Sequence, residues 1–278
     1  MEDEAAKPPR ILIIAGSDSG GGAGIQADIK TVTLLGGYAM TAISAITAQN
    51  TLEVAEVEAV EPWLLERQIE VVLSDIGADV IKTGMLPTRG SVKSVARCLA
   101  GSQIPLVVDP VLVATSGDSL VDNQVARALL EELIPRAALV TPNLPEATAL
   151  TGIRVETRDD FGRVADQLLS LGVGAVLVKG GHLGSDQVID LLRTADGEEH
   201  WFESQRIHTR STHGTGCTLA SAIACSLGEG YTLQHAVARA REYVLEALRT
   251  APGFGHGHGP LNHAHVLRAV ARDASETS

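Results

Sequence analysis

The sequence contains few aromatic residues. Phe, Trp and Tyr together make up 3% of its 278 residues, whereas hydrophobic residues of all kinds make up 45%. A core must therefore be built mainly from Ala, Val, Leu and Ile, which favours buried parallel strands covered by helices over an aromatic-rich all-β sandwich. A chain of this length can bury most of the surface that its unfolded form exposes, so its fold requires no disulfide or metal.

Cysteines and long hydrophobic runs are also scarce. The three cysteines, Cys98, Cys217 and Cys225, are an odd number in a chain that is not small, so a disulfide framework is not expected. A reducing cytoplasm suits them best. The first apolar run, residues 11–15, is too short for a signal-peptide core, and no run approaches the roughly 18 residues of a membrane helix. We therefore expect a cytoplasmic protein with no membrane partner.

Positive charge is in deficit as well. The 22 Lys and Arg residues are outnumbered by 34 Asp and Glu residues, which gives a formal net charge of −12. Without a basic run, a nucleic-acid partner is not expected. A phosphate ligand remains compatible with this charge, because backbone amides and Mg²⁺ neutralise phosphate locally.

Short apolar runs alternate along the chain with helix-length segments. The runs predict buried strands at residues 11–15, 79–83, 106–109, 138–141 and 175–179. The segments between them predict helices at about 24–35, 62–76, 91–100, 123–133 and 158–171. This alternation predicts an α/β fold with right-handed crossovers and a mostly parallel sheet that carries helices on both faces.

Two regions interrupt the alternation. Residues 38–51 are rich in Ala, Ile and Thr, and this composition is compatible with a strand or with a short helix. Residues 188–194 and 200–207 flank the turn dipeptide Asp196-Gly197 and predict an antiparallel hairpin.

The chain shows no internal repeat and no linker. We therefore expect one domain over residues 11–272, with a disordered lead-in at 1–10 and a flexible tail at 273–278.

Polar residues follow the predicted strands. In an open parallel sheet, ligands bind outside the carboxyl ends of the strands, so these residues are expected to converge on one edge. They are Gly16-Ser17-Asp18, Lys82-Thr83-Gly84-Met85, Asp109-Pro110-Val111, Thr141-Pro142-Asn143 and Lys179-Gly180-Gly181-His182.

The strongest single motif is Ser211-Thr212-His213-Gly214-Thr215-Gly216-Cys217, which precedes an Ala-rich helical run. Two glycines at a spacing of two let backbone N–H groups turn towards one point, and the start of the helix adds positive charge there. This arrangement suits a transferring phosphoryl group. The alternative is an ordinary glycine-rich turn before a buried helix.

Cys217 falls near the first turn of that helix, a position that is expected to lower a thiol pKa. Such a thiol could accept a proton from an attacking hydroxyl group. Cys225, in an Ala/Leu context, and Cys98 are expected to be inert.

A second glycine-rich segment runs from Gly16 to Asp28. Its glycines do not fit the Gly-x-Gly-x-x-Gly spacing of a dinucleotide-binding loop, and the acidic residue expected about 20 positions further on is missing. We therefore interpret the segment as a substrate loop. Asp28 is either a ligand for a polar substrate group or a solvated helix residue.

Asp109 and Glu146 are candidates for holding Mg²⁺, which uses few carboxylates and keeps several waters. The alternative for Glu146 is a favourable acidic residue in the first turn of a helix. Lys179 ends an apolar strand, and a nucleotide phosphate is its candidate partner.

Four histidines, His256, His258, His263 and His265, cluster near the end of the chain. The cluster raises the possibility of a metal site, but its spacing matches no zinc motif and glycines surround it. A flexible loop near the nucleotide is the favoured interpretation.

Taken in order over about residues 10–267, these motifs resemble those of bacterial hydroxymethylpyrimidine/phosphomethylpyrimidine kinases of the ribokinase superfamily. The motifs that carry the resemblance are the Gly16-to-Asp28 segment, Thr47-Ala48-Gln49-Asn50-Thr51, Lys82-Thr83-Gly84-Met85-Leu86, Asp109-Pro110-Val111, Thr141-Pro142-Asn143-Leu144-Pro145-Glu146, Val178-Lys179-Gly180-Gly181-His182 and His213-Gly214-Thr215-Gly216-Cys217.

The resemblance implies a ribokinase-like three-layer α/β/α sandwich, ATP and Mg²⁺ as cofactors, and a homodimer. The implied activity is phosphorylation of 4-amino-5-hydroxymethyl-2-methylpyrimidine and then of its monophosphate, on the route to thiamine. A pyridoxal kinase on the same fold is the nearest alternative. A non-catalytic relative, or a metal-binding protein that uses the histidines, is the alternative from another class.

The resemblance also assigns roles to individual residues. Gln49 would bind the aminopyrimidine edge, and Gly16, Asp28, Met85 and Val111 would line the substrate pocket. Gly214, Thr215 and Gly216 would form the anion hole, with Cys217 at the catalytic position, where most sugar kinases of the superfamily have Asp. Asn143, Lys179, Thr212 and His213 would belong to the nucleotide side, and Asp109 and Glu146 to the metal.

Overall fold

The computed structural model describes residues 7–112, 123–181 and 186–267. Within them, one nine-stranded sheet has the order β3-β2-β1-β4-β5-β6-β7-β8-β9. The strands are β1 (Arg10–Asp18), β2 (Tyr38–Gln49), β3 (Val54–Ala59), β4 (Val80–Thr83), β5 (Leu106–Val108), β6 (Leu139–Val140), β7 (Ala175–Lys179), β8 (Gln187–Thr194) and β9 (Glu199–Gln205).

Helices separate most of these strands. They are α1 (Gly24–Leu34), α2 (Pro62–Asp75), α3 (Arg89–Cys98), α4 (Asn123–Ala128), α5 (Leu144–Thr151), α6 (Arg158–Leu169), α7 (Thr215–Gly228) and α8 (Leu233–Arg249). A π-helical turn, Leu129–Leu133, and a 3₁₀ turn, Ile134–Arg136, continue α4.

The central strands, β2 and β1 followed by β4 to β7, are parallel, whereas β3, β8 and β9 pair antiparallel at the two edges. The predicted hairpin is confirmed as β8 and β9. The region left open by the sequence is a strand, β2, because its backbone pairs with β1 on one side and with β3 on the other.

Alternate side chains of β1 enter two separate cores. Ile11 and Ile13 pack with residues of α1, α7 and α8 on one face of the sheet. Leu12 and Ile14 pack with residues of α2 to α6 on the other. Because parallel strands covered on both faces must be apolar on both faces, these strands read as continuous hydrophobic runs. The three-layer α/β/α sandwich is confirmed.

The first strand begins at Arg10, which the sequence alone placed in a disordered lead-in. The Arg10 guanidinium binds Asp79, with 2.7 Å between Nη2 and Oδ1, and so ties the start of β1 to the residue before β4. Residues 1–6 and the predicted tail lie outside the described residues. In the part of the chain that the structure describes, no helix has the length and hydropathy needed to cross a membrane.

Candidate active site

The carboxyl ends of the central strands border a cavity of about 680 Å³. All of the predicted site residues except Asp28 line it: Gly16, Gln49, Met85, Asp109, Val111, Asn143, Glu146, Lys179, Thr212, His213, Gly214, Thr215, Gly216 and Cys217. A cavity of this size is typical of small-molecule and cofactor sites. The expectation that the strand ends converge on one edge is therefore confirmed.

The turn at Gly214 starts α7 at the wall of this cavity. Gly214 has a φ of +84° and serves as the N-cap of the helix. A Cβ atom at this position would lie 1.9 Å from the carbonyl oxygen of Gly22, so the turn packs directly against the loop after β1. The first N–H groups of a helix have no intrahelical acceptor, so this end of α7 can bind an anion.

Cys217 lies in the first turn of α7 and lines the cavity. The expected lowering of its pKa is wrong. Burial raises the pKa of the thiol to about 12, although the nearby positive charge of Lys82 acts in the opposite direction. The thiol is therefore protonated at neutral pH. Cys225, as expected, is fully buried.

Asp28 does not line the cavity, so its predicted role as a substrate ligand is wrong. The alternative, a solvated helix residue, is wrong as well. Its side chain is fully buried, and both carboxylate oxygens lie 3.0 Å from Nζ of Lys82, which is fully buried as well. The Ser221 hydroxyl donates to the same carboxylate at 2.6 Å. Asp28 and Lys82 thus form a buried ion pair beneath α7.

A second buried ion pair lies beside the anion-binding turn. Lys179 Nζ donates to Asp109 Oδ1 at 3.0 Å, and the Thr141 hydroxyl donates to the same oxygen at 2.9 Å. Burial opposes the charge of Lys179, but Asp109 and Glu146 outweigh it and raise its pKa. A Cβ atom on Gly216 would lie 3.4 Å from Nζ, which places this cation next to the anion-binding turn.

Glu146 and Asn143 cap the start of α5. The Asn143 N–H donates to Glu146 Oε2 at 2.8 Å, and the Glu146 N–H donates to Asn143 Oδ1 at 2.9 Å. Burial, together with the negative charge of Asp109, raises the pKa of Glu146 to about 7. Two buried carboxylates that repel each other suit a cation, and Mg²⁺ commonly uses one or two carboxylates with waters and substrate phosphates. Asp109 and Glu146 therefore fit Mg²⁺, the metal that the resemblance implies.

The raised pKa of Glu146 predicts a pH effect on stability. An ordinary Glu has a pKa near 4.5, so between about pH 4.5 and 7 the folded protein binds the proton more tightly than the unfolded chain does. Stability should therefore fall as the pH rises through this range, by up to about 1.4 kcal/mol per pH unit relative to Glu146→Gln. Urea unfolding of both proteins without divalent cations, at several pH values, measures the difference.

The exposed replacement Glu131→Gln serves as the control and should not reproduce the decline. Parallel pH profiles for the wild type and Glu146→Gln would show that Glu146 does not titrate in this range.

The loop after β1 is organised by Asp18, which the sequence analysis did not select as a site residue. Its carboxylate accepts N–H groups from Gly20, Gly22 and Ala23 at 2.8 to 2.9 Å. It also faces His213 Nε2 at 2.8 Å. Asp18 could have been recognised from the sequence as an acidic residue that ends a strand directly before a run of glycines.

His213, which the resemblance assigned to the nucleotide side, makes its contacts with the substrate loop. Its ring contacts the loop after β1 and lies 3.4 Å from the amide of Gln49. Lys82 was named among the strand-end residues but given no role of its own; the signal for one was a lysine directly after Val80 and Ile81 in a buried strand.

Three apolar residues of α8 also line the cavity: Val244, Leu245 and Leu248. Arg241 lies one turn earlier and pairs with Asp190, and both side chains are nearly buried. Burial lowers the pKa of Arg241 to about 10. Neither residue was selected from the sequence, because the pair joins elements far apart in the chain.

The terminal histidines do not act as one group. His263 is buried, and its Nε2 lies 2.9 Å from the Thr218 hydroxyl, whereas the His265 ring packs against Tyr243 in a tilted arrangement. His258 lines the cavity near Thr212, and His256 is exposed. Among the described residues, no three His, Cys, Asp or Glu side chains are grouped to hold a metal ion, so the histidine metal site has no structural support.

Comparison with known proteins shows the family of this chain. The family model described as phosphomethylpyrimidine kinase matches residues 18–262. The chain belongs to the phosphomethylpyrimidine kinase family. Among curated relatives, a hydroxymethylpyrimidine/phosphomethylpyrimidine kinase from Streptomyces coelicolor is 45% identical over 260 residues, which cover 94% of this chain and 96% of that one.

A bifunctional thiamine biosynthesis protein from Geobacter sulfurreducens is 48% identical over 255 residues. The match covers 91% of this phosphomethylpyrimidine kinase family member but 52% of the relative, so the chain spans about half the length of that protein.

Solved structures of the phosphomethylpyrimidine kinase and pyridoxal kinase types share the fold. A phosphomethylpyrimidine kinase from Clostridium difficile has a TM-score of 0.76 at 40% identity, covering 86% of this chain and 99% of that one. A pyridoxal kinase from Staphylococcus aureus, in complex with AMP-PCP, has a TM-score of 0.85 at 33% identity, covering 92% of this chain and 93% of that one.

His182, part of the sequence motif after β7, lies outside the described residues.

Proposed function

We propose that this protein phosphorylates 4-amino-5-hydroxymethyl-2-methylpyrimidine, and then the resulting monophosphate, with ATP as the phosphoryl donor. The observation that carries this proposal is the anion-binding turn at Gly214, which shares one cavity with Gln49 and Lys179. A curated relative that spans nearly the same length is named for both reactions.

Two parts of the cavity suit two ligands. Gln49, Gly16, Met85 and Val111 line the cavity where four neighbouring strands, β2, β1, β4 and β5, end, and an amide that can both donate and accept suits an aminopyrimidine edge. The apolar residues of α8, which Arg241 joins to β8 at the far side of the sheet, suit a nucleobase. The turn at Gly214 lies between them, where a phosphoryl group would pass from one ligand to the other.

Mg²⁺ is the proposed metal, with Asp109 and Glu146 holding it directly or through water. When bound, it would neutralise charge on the phosphates of the nucleotide. Lys179, already next to Gly216, would contribute positive charge from the protein at the same place.

A coupled assay for ADP release tests the proposed function. We expect turnover with the hydroxymethylpyrimidine and with its monophosphate, and loss of turnover when EDTA removes divalent cations. Stoichiometric zinc in the purified protein, together with no turnover on any substrate, would overturn the proposal in favour of a metal-binding protein.

Cys217→Ala is the informative variant in this assay. The alcohol must lose a proton as it attacks, whereas the monophosphate is already an anion and mainly needs positioning. Because burial keeps the Cys217 thiol protonated at neutral pH, we expect the variant to lose similar activity on both substrates. A loss confined to the alcohol would instead show that the thiol takes part in proton transfer.

Pyridoxal phosphorylation is the second candidate. It is favoured by the TM-score of 0.85 to the pyridoxal kinase from Staphylococcus aureus, although that protein is 33% identical, against 45% for the Streptomyces coelicolor relative. The same assay with pyridoxal as substrate separates the two. A kcat/KM higher for pyridoxal than for the pyrimidine would reverse our assignment.

A homodimer in the cytoplasm is the proposed working form. Exposed apolar side chains occur on and next to the β2–β3 edge of the sheet: Ile46 in β2, Leu52 in the turn after it and Trp63 in α2. Exposed apolar groups of this kind suit a protein interface. All three cysteines are free thiols, which suits a reducing compartment.

A further inference from the structure

Asp18 and His213 connect the two loops that meet at the cavity. The Asp18 side chain is 3% exposed and holds the loop after β1 through backbone N–H groups. His213 immediately precedes Gly214, and its Nε2 lies 2.8 Å from Asp18 Oδ2. The pair therefore holds the substrate loop and the anion-binding turn together across 195 residues of sequence.

The tautomer of His213 follows from this contact. A carboxylate only accepts hydrogen bonds, so Nε2 of His213 carries a proton and donates it to Asp18. Gln49 contacts the same nitrogen, with its amide Nε2 at 3.4 Å. The single N–H group of this nitrogen bonds mainly to Asp18, and as a second partner it repels an amide N–H group and attracts an amide oxygen.

Thr47 determines which end of the Gln49 amide faces it. Its hydroxyl group has one proton, and the carbonyl oxygen of Ser17, at 2.9 Å, accepts it. The Thr47 oxygen must then accept from Gln49, whose Oε1 is placed 3.2 Å away. Because the two ends of an amide have nearly the same shape, its neighbours decide which end is which. Both neighbours favour the amide oxygen towards His213 and the NH₂ group towards Thr47.

We propose that Asp18 and His213 are specificity-determining residues, which hold the Gln49 amide in one orientation and so set the order of donor and acceptor presented to the heterocycle. This inference rests on the proposed function, in which Gln49 binds the aminopyrimidine edge. The 4-amino substrate offers a donor beside an acceptor ring nitrogen, whereas its 4-oxo analogue offers an acceptor beside a donor ring N–H. An amide held in one orientation can form both hydrogen bonds with only one of these two compounds.

The test is the ratio of kcat/KM for the 4-amino substrate to kcat/KM for the 4-oxo analogue. Reversed hydrogen-bonding groups leave buried polar atoms unpaired, so we expect the wild type to prefer the amino compound by at least about 10³-fold. In His213→Leu the amide can rotate, and the ratio should fall at least about tenfold. His213→Gln keeps an N–H donor, and its ratio should stay within about threefold of the wild type.

Asp18→Ala gives a second test of the proposal if His213→Leu does not fold. It removes the acceptor that fixes the proton on Nε2, so the imidazole can take either tautomer and the ratio should again fall. His235→Leu is the matched control, since His235 is exposed at the start of α8 and does not line the cavity. Its ratio should equal that of the wild type.

A purely structural role for the pair would lower kcat/KM equally for both compounds and leave the ratio unchanged, and that result would overturn the proposal. A wild-type ratio near one would overturn it as well. A wild type that phosphorylates neither pyrimidine would instead refute the proposed function, and this outcome is visible before any variant is made.

Discussion

Replacing Asp28 with alanine is expected to destabilise the folded protein by about 3–5 kcal/mol. The substitution leaves the ammonium group of Lys82 fully buried without its carboxylate partner. An unpaired buried charge keeps its desolvation penalty while losing the attraction that offset it. Urea unfolding of the wild type and Asp28→Ala measures the difference in the free energy of unfolding.

The double variant Asp28→Leu/Lys82→Met distinguishes this cause from a loss of packing. Apolar residues of similar volume often replace a buried ion pair without loss of stability, so the double variant should recover most of what Asp28→Ala loses. As a surface control, Glu131→Ala removes the exposed partner of Arg127 and should change stability by less than about 1 kcal/mol. A loss for Asp28→Ala no larger than that for Glu131→Ala would contradict the ion-pair account.

Gly214→Ala is expected to lower kcat by at least about 10²-fold, because it displaces the anion-binding turn. The new Cβ would lie 1.9 Å from the carbonyl oxygen of Gly22, a distance that neither backbone segment can keep. The substrate loop and the turn must then separate, and this moves the two halves of the site relative to each other. Steady-state kinetics on both pyrimidine substrates measures the effect.

Gly230→Ala is a matched control for backbone strain. Gly230 has a φ of +88°, close to the +84° of Gly214, but a Cβ there would meet nothing within 4 Å. Both variants impose a left-handed conformation on alanine, which costs on the order of 1 kcal/mol. If both variants kept kcat within threefold of the wild type, the close contact with Gly22 would not matter for catalysis.

The alternation of strands and helices was predictable because it depends on local patterns. The strand predicted at residues 175–179 is β7 as observed, and the helix predicted at 62–76 ends one residue earlier in the structure. The observed helix boundaries differ from the predicted ones where a capping interaction sets the first residue of the helix. Helix α3 begins at Arg89 rather than residue 91, because the Thr88 side chain caps it by accepting the N–H of Ser91.

Region 38–51 could not be assigned in the same way. Its Ala, Ile and Thr residues suit either a strand or a helix, and it becomes β2 because strands on both sides pair with it. The sequence could not supply those pairings, since they depend on how the whole sheet is assembled.

The sequence by itself determined which residues stand at the strand ends and where the glycine turn precedes α7, since both follow from neighbouring residues in the chain. Only the tertiary structure decided the electrostatics of the site. Asp28 meets Lys82 across 54 residues and Ser221 across 193. Burial then raises the pKa of Cys217, which proximity to a helix start alone would lower. The state of each charge depends on burial and on partners that only the assembled fold brings together.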